Sequence, residues 1–107
     1  MQIDLKNINK LLKRPLILDG AMGSLITCSE NNYDKPLWAS MFNLTNPNKI
    51  IDIHKSYIKA GADIITTNTF RTNPHAVKSS QYDINIKKLV VDSVALAIRA
   101  REDKQII

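Results

Sequence analysis

What most limits the folds open to this chain is an alternation of short apolar runs with long segments of helical spacing. Residues 16–18, Leu-Ile-Leu, lie between Pro15 and Gly20 with no polar residue among them, the pattern of a strand buried on both faces of a sheet. Residues 62–70, ADIITTNTF, are rich in β-branched side chains and short enough for a second strand. Gln105, Ile106 and Ile107 read as the start of a third.

The segments between them carry helix signals. Asn46 and Pro47 predict a helix start, because an Asn side chain satisfies one unpartnered N–H of the first turn and a proline there has none to lose. Ile50, Ile53 and Tyr57, with Ile51, His54 and Ile58, supply an apolar face, and Gly61 ends the helix in a conformation that glycine adopts cheaply. From Asn85 to about Lys104, the residues Ile86, Leu89, Val90, Val94, Ala97 and Ala100 share one face. A shorter amphipathic helix is expected over residues 4–13, from Ile8, Leu11 and Leu12, and Pro15 ends it. Residues 27–44 and 71–83 read as polar connections without regular structure.

Helix, strand, helix, strand, helix and a strand start is the order of parallel βα units, whose right-handed crossovers put both long helices on one side of the sheet. A complete (βα)8 TIM barrel takes about 250 residues. The expected fold class is therefore α/β, the N-terminal portion of such a barrel, with about two βα units and the start of the third strand. Residues 1–107 then form one partial domain whose exposed sheet edges favour self-association.

In parallel α/β folds the chemistry lies beyond the C-terminal ends of the strands, where Asp19 and the run from Thr67 to Phe70 both fall. Asp19 can accept hydrogen bonds from an ammonium group, while Gly20 and Gly23 let the backbone N–H groups of the turn approach an anion. Ammonium and carboxylate together describe an amino acid. The same residues also have plainer readings. Asp-Gly at a strand end is commonly a turn or a cap, Thr66, Thr67 and Thr69 suit an ordinary strand, and Phe70 suits a core. Trp38 reads either as a packing anchor or as a surface on which a ligand stacks.

A net charge of +5 raises the question of a nucleic-acid partner. The basic residues are scattered, however, and Lys87, Lys88, Arg99, Arg101 and Lys104 are interleaved with Asp92, Glu102 and Asp103 as on a solvated helix face. Nucleic acid is not an expected partner. No apolar run approaches the roughly 20 residues that cross a bilayer, so no membrane partner is expected and the chain reads as cytoplasmic. The single cysteine, Cys28, agrees with a reducing compartment. His54 and His75 have no Cys or acidic residue at a ligand-like interval, and both read as structural or exposed, with His54 away from the Asp19 site.

The stretches LILDGAMGSLI, KPLWAS and NPNKIIDIHKSYIKAGADIITTNTFRTNP, in that order and spacing, resemble the N-terminal part of the homocysteine S-methyltransferase family, which includes betaine, S-methylmethionine and cobalamin-dependent methionine synthase types. The resemblance covers residues 16–74. It implies that Asp19 holds the homocysteine amino group, that Gly20, Ala21, Met22 and Gly23 present backbone N–H groups to its carboxylate, and that Thr67, Asn68, Thr69 and Phe70 line the pocket. It also implies homocysteine and a methyl donor as partners, the donor being S-methylmethionine, S-adenosylmethionine, betaine or a methylfolate/cobalamin pair. PLWAS is closer to the simpler, free-standing members such as the S-methylmethionine type.

The family's cofactor is zinc, held by three cysteine thiolates that include an adjacent pair, and it keeps the homocysteine thiol deprotonated for attack on the donor methyl. Those ligands are expected downstream, and Cys28 matches none of them. The resemblance therefore implies methyl transfer to homocysteine by a full-length enzyme, with these 107 residues inactive alone. A non-catalytic interaction module of the same fold, or another barrel enzyme acting on an amino-acid-like substrate, are the other readings.

Overall fold

A computed structural model describes residues 13–27, 36–80, 82–102 and 104–107. The expected helix at residues 4–13 falls almost wholly outside them, and so does Cys28. The described residues are mainly helical: α1 is Gly23–Thr27, a 3-10 turn spans Trp38–Met41, and α2 is Phe42–Thr45. Pro47–Lys59 forms α3, Pro74–Ser79 forms α4 and Ile86–Ala100 forms α5.

Asparagine opens three of these helices by the same device. The Asn46 side chain accepts from the Lys49 N–H at 3.3 Å, Asn73 from Ala76 at 2.9 Å and Asn85 from Lys88 at 3.1 Å. The helix predicted from Asn46 thus begins where its cap stands, and Gly61 follows its end at φ +109°, a left-handed conformation that suits glycine. Two expectations are corrected. Residues 38–45 are not irregular, because Ala39, Ser40, Met41, Phe42 and Asn43 are buried and turn helically to bury them. Within the expected connection 71–83, Asn73 and Pro74 start α4 with the signal that starts α3. The last helix also stops at Ala100 rather than near Lys104.

The expected strands are reduced to two parallel bridges, Leu18 with Ile64 and Ile64 with Ile106. The spatial order is therefore first, second, third segment, with Ile64 in the middle. Backbone bonds make each bridge: Ile64 N–H donates to Ile17 O at 3.1 Å and Asp19 N–H to Ile64 O at 2.9 Å, then Ile65 N–H to Ile106 O at 2.7 Å and Ile106 N–H to Asp63 O at 2.8 Å. The first pairing goes no further because carboxylates take the N–H groups that the next rungs would use. Asp63 Oδ2 accepts from Ile17 N–H at 2.9 Å, and Asp19 Oδ2 accepts from Thr66 N–H at 3.0 Å. Ile17 and Leu18 are 53% and 60% exposed, so this first segment is not the doubly buried strand that its composition suggests.

The core lies among the helices. Ile26, Leu37, Phe42, Ile50, Ile65 and Leu89 are the largest fully buried apolar side chains, and α3 packs against both α5 and α2. No helix among the described residues is long and apolar enough to cross a membrane.

Arg14 closes the N-terminal end of the pairing with a two-pronged bond to Asp63, at 2.8 and 2.7 Å. This bond, together with the Ile17 N–H, lowers the Asp63 carboxyl from 3.8 to about 2. The folded chain thus favours the ionised form more than the unfolded chain does. The resulting stabilisation is complete above 3.8 and is lost as pH falls through about 2. The stability gap between wild type and Asp63→Asn should therefore be constant near neutrality and shrink across that acid window, as read by urea unfolding at fixed ionic strength. A gap of the same size throughout would show that the clamp is not ionic.

Candidate functional site

Asp19 stands where the first bridge ends, and its backbone N–H is fixed by Ile64 O. Its carboxylate is not free. Oδ2 accepts the Thr66 N–H at 3.0 Å and Oδ1 accepts the Thr66 hydroxyl at 2.9 Å, so the side chain ties the turn to the neighbouring segment rather than capping a helix. A carboxylate has about four acceptor positions, and two of these remain for a ligand.

Next to it opens a cavity of about 380 Å³. Its walls are the turn from Asp19 to Ser24, then Trp38 and Ala39, then Thr66, Thr67 and Asn68, with Phe70 completing it. Of the residues singled out from the sequence, Asp19, Gly20, Ala21, Met22, Gly23, Thr67, Asn68 and Phe70 meet on this one hollow. Thr69 is not part of the wall, and its hydroxyl lies 3.0 Å from that of Thr67. Thr66, whose plainer reading is an ordinary strand residue, also lines the wall, as do Ser24 and Ala39, which the sequence does not mark.

Trp38 both packs and lines. Its ring meets the Phe70 ring edge-on at 5.6 Å and 68°, and a Cβ at Gly23 would come within 3.3 Å of the indole. Phe70 is 63% exposed rather than part of the core, and the Arg71 guanidinium lies 5.8 Å from its ring centre. Trp38 and Arg71, at φ 51° and 62°, hold the left-handed conformation that costs a side chain with a Cβ, and both flank this aromatic pair.

A buried polar network fixes the far wall. Asn43 Nδ2 donates to Asn68 O at 2.8 Å and to the Ser93 hydroxyl at 2.7 Å. Asn68 Nδ2 in turn donates to Ala39 O at 3.1 Å and Asn43 Oδ1 at 3.0 Å, and Ser93 donates to Leu89 O at 2.7 Å. All three side chains are buried, so the segment that carries Thr67 and Asn68 is tied to both α2 and α5.

His54, expected away from the Asp19 site, is not part of the cavity wall, although the helix that carries it reaches the turn. The Tyr57 hydroxyl on α3 donates to Ala21 O at 2.7 Å, which places that helix directly under the turn. His54, one turn earlier, is fully buried, and neither ring nitrogen has a hydrogen-bond partner among the described residues. Burial holds its pKa below the ordinary 6.5, and the negative charge of Asp19 partly opposes that shift. His75 is exposed and lines two other hollows around α4, of about 410 and 720 Å³, which contain none of the predicted residues. No three His, Cys, Asp or Glu side chains among the described residues come together as metal ligands, so these residues do not fit a zinc site.

The sequence profile described as Homocysteine S-methyltransferase matches residues 16–107. Homocysteine S-methyltransferase 3 of Zea mays is 30% identical over 88 residues, which is 81% of this chain and 26% of that protein. Homocysteine S-methyltransferase of Escherichia coli K12 is 33% identical over 81% of this chain and 28% of its own length. Selenocysteine Se-methyltransferase of Brassica oleracea var. italica is 30% identical over 79% of this chain and 25% of its own. The chain spans about a quarter of the length of these relatives. With the profile covering nearly all of the described residues, this chain belongs to the homocysteine S-methyltransferase family.

Proposed function

We propose that this chain builds the amino-acid end of a homocysteine site, in a domain that transfers a methyl group to the homocysteine sulfur and so forms methionine. The observation that carries this reading is the cavity of about 380 Å³ shared by the Asp19–Ser24 turn and the Thr66–Phe70 segment. Asp19, held in place by Thr66, takes the substrate ammonium. The backbone of Gly20, Ala21, Met22 and Gly23 receives its carboxylate. Thr67, Asn68 and Phe70 wall the carbon chain, and Thr69 supports Thr67. No three metal ligands come together among the described residues, which in this reading take only the amino-acid end of the substrate. The parallel order Leu18, Ile64, Ile106 supports assigning these segments to successive strands of a (βα)8 barrel, and PLWAS supports S-methylmethionine as the donor.

Titrating L-homocysteine into the isotope-labelled chain while following backbone amide shifts tests the reading. Residues 19–23 and 66–70 are expected to shift together and to saturate at an affinity of about 1 mM or tighter. Methionine formation is then sought with any longer polypeptide that contains this segment. Amide shifts confined to other regions would remove homocysteine from the proposal.

A further inference from the structure

Resting on the homocysteine reading, we infer that Tyr57 is a positioning residue that sets the direction of the Met22 N–H and thereby the recognition of the substrate carboxylate. The hydroxyl of Tyr57 donates to Ala21 O at 2.7 Å across 36 positions of sequence. In a trans peptide the C=O and the following N–H point in opposite directions. Holding the Ala21 carbonyl toward α3 therefore turns the Met22 N–H away from that helix. Tyr57 is not part of the cavity wall, whereas Ala21 and Met22 are, so the side away from Tyr57 is the ligand side. The Met22 N–H donates to no acceptor among the described residues, while Met22 O is engaged by Ile26 N–H at 3.2 Å.

Gly20 shows that the tyrosine ring and the turn are fitted to each other. A Cβ at Gly20 would stand 2.8 Å from both Cε1 and the hydroxyl oxygen of Tyr57, closer than any side-chain carbon is tolerated. The glycine therefore leaves room for the ring to reach Ala21. The ring supports the turn by contact and the hydroxyl orients one peptide within it, and these two roles are separable because phenylalanine keeps the first and lacks the second.

The test compares wild type with Tyr57→Phe using two ligands, L-homocysteine and 3-aminopropane-1-thiol, which keeps the amine and thiol but lacks the carboxylate. Tyr57→Phe should weaken L-homocysteine about five-fold, the effect of one neutral hydrogen bond, and leave the decarboxylated ligand unchanged. Equal losses for both ligands, or no loss for either, would overturn the assignment. Independently of any ligand, the Met22 amide resonance should move in free Tyr57→Phe while those of α5 stay in place, and an unmoved Met22 amide would overturn it as well. If the wild type binds neither compound, the homocysteine reading fails, and the Met22 amide alone decides whether Tyr57 orients the turn.

Discussion

Replacing Asn43 by alanine is expected to destabilise the fold by roughly 3 kcal/mol, a large part of the 5–15 kcal/mol available to a domain of this size. Truncation removes three hydrogen bonds at once: those that Asn43 gives to Asn68 O and Ser93, and the one that it accepts from Asn68 Nδ2. Asn68 and Ser93 are both buried, so water does not readily replace the lost partner, and a stranded buried group costs about 1–3 kcal/mol. Asn43→Leu should not rescue the loss, because it fills the space but leaves the same groups unpaired. Urea unfolding with an unchanged dependence on denaturant is the measure. A change below about 0.5 kcal/mol, the range of ordinary surface substitutions, would mean that the network is a bystander.

Asp19→Ala should weaken homocysteine binding by about 1.5–3 kcal/mol, or roughly 10- to 150-fold, the range for a hydrogen bond to a charged group. Because Asp19 also holds Thr66, lost affinity could come from a loosened wall rather than a lost charge. Thr66→Val separates the two effects. It removes the hydroxyl bond to Oδ1 while leaving the carboxylate, and should change affinity by less than about three-fold if charge is what the ligand needs. Wild-type affinity in Asp19→Ala would remove this carboxylate from the site.

How much of this was legible in the sequence depended on whether the signal was local. Asn46-Pro47 predicted α3 because the cap and its target lie three residues apart, and the spacing of Ile50, Ile53 and Ile58 followed. The same pair at Asn73-Pro74 reads as part of a connection because the helix behind it has only 6 residues, too few to show a period. The apolar run at 16–18 correctly announced parallel pairing with 62–70, but not its brevity, since the competitors for the next rungs are side chains of Asp19 and Asp63. Asp19, the glycine turn, Thr67, Asn68 and Phe70 did come to one cavity, while Thr69 did not. Asn43, Ser93 and Tyr57 left no local trace, because their partners are 25, 50 and 36 positions away.

The indole that leans on Phe70 and Gly23 is the only one in the chain. Ultraviolet emission excited at tryptophan therefore comes from one wall of the cavity and nowhere else. Water displaced from that wall by a bound amino acid should move the emission toward shorter wavelength, while a ligand held around α4 should leave it where it was. The molecule thus carries a built-in optical probe that needs no label, placed where occupancy of the cavity has to be read.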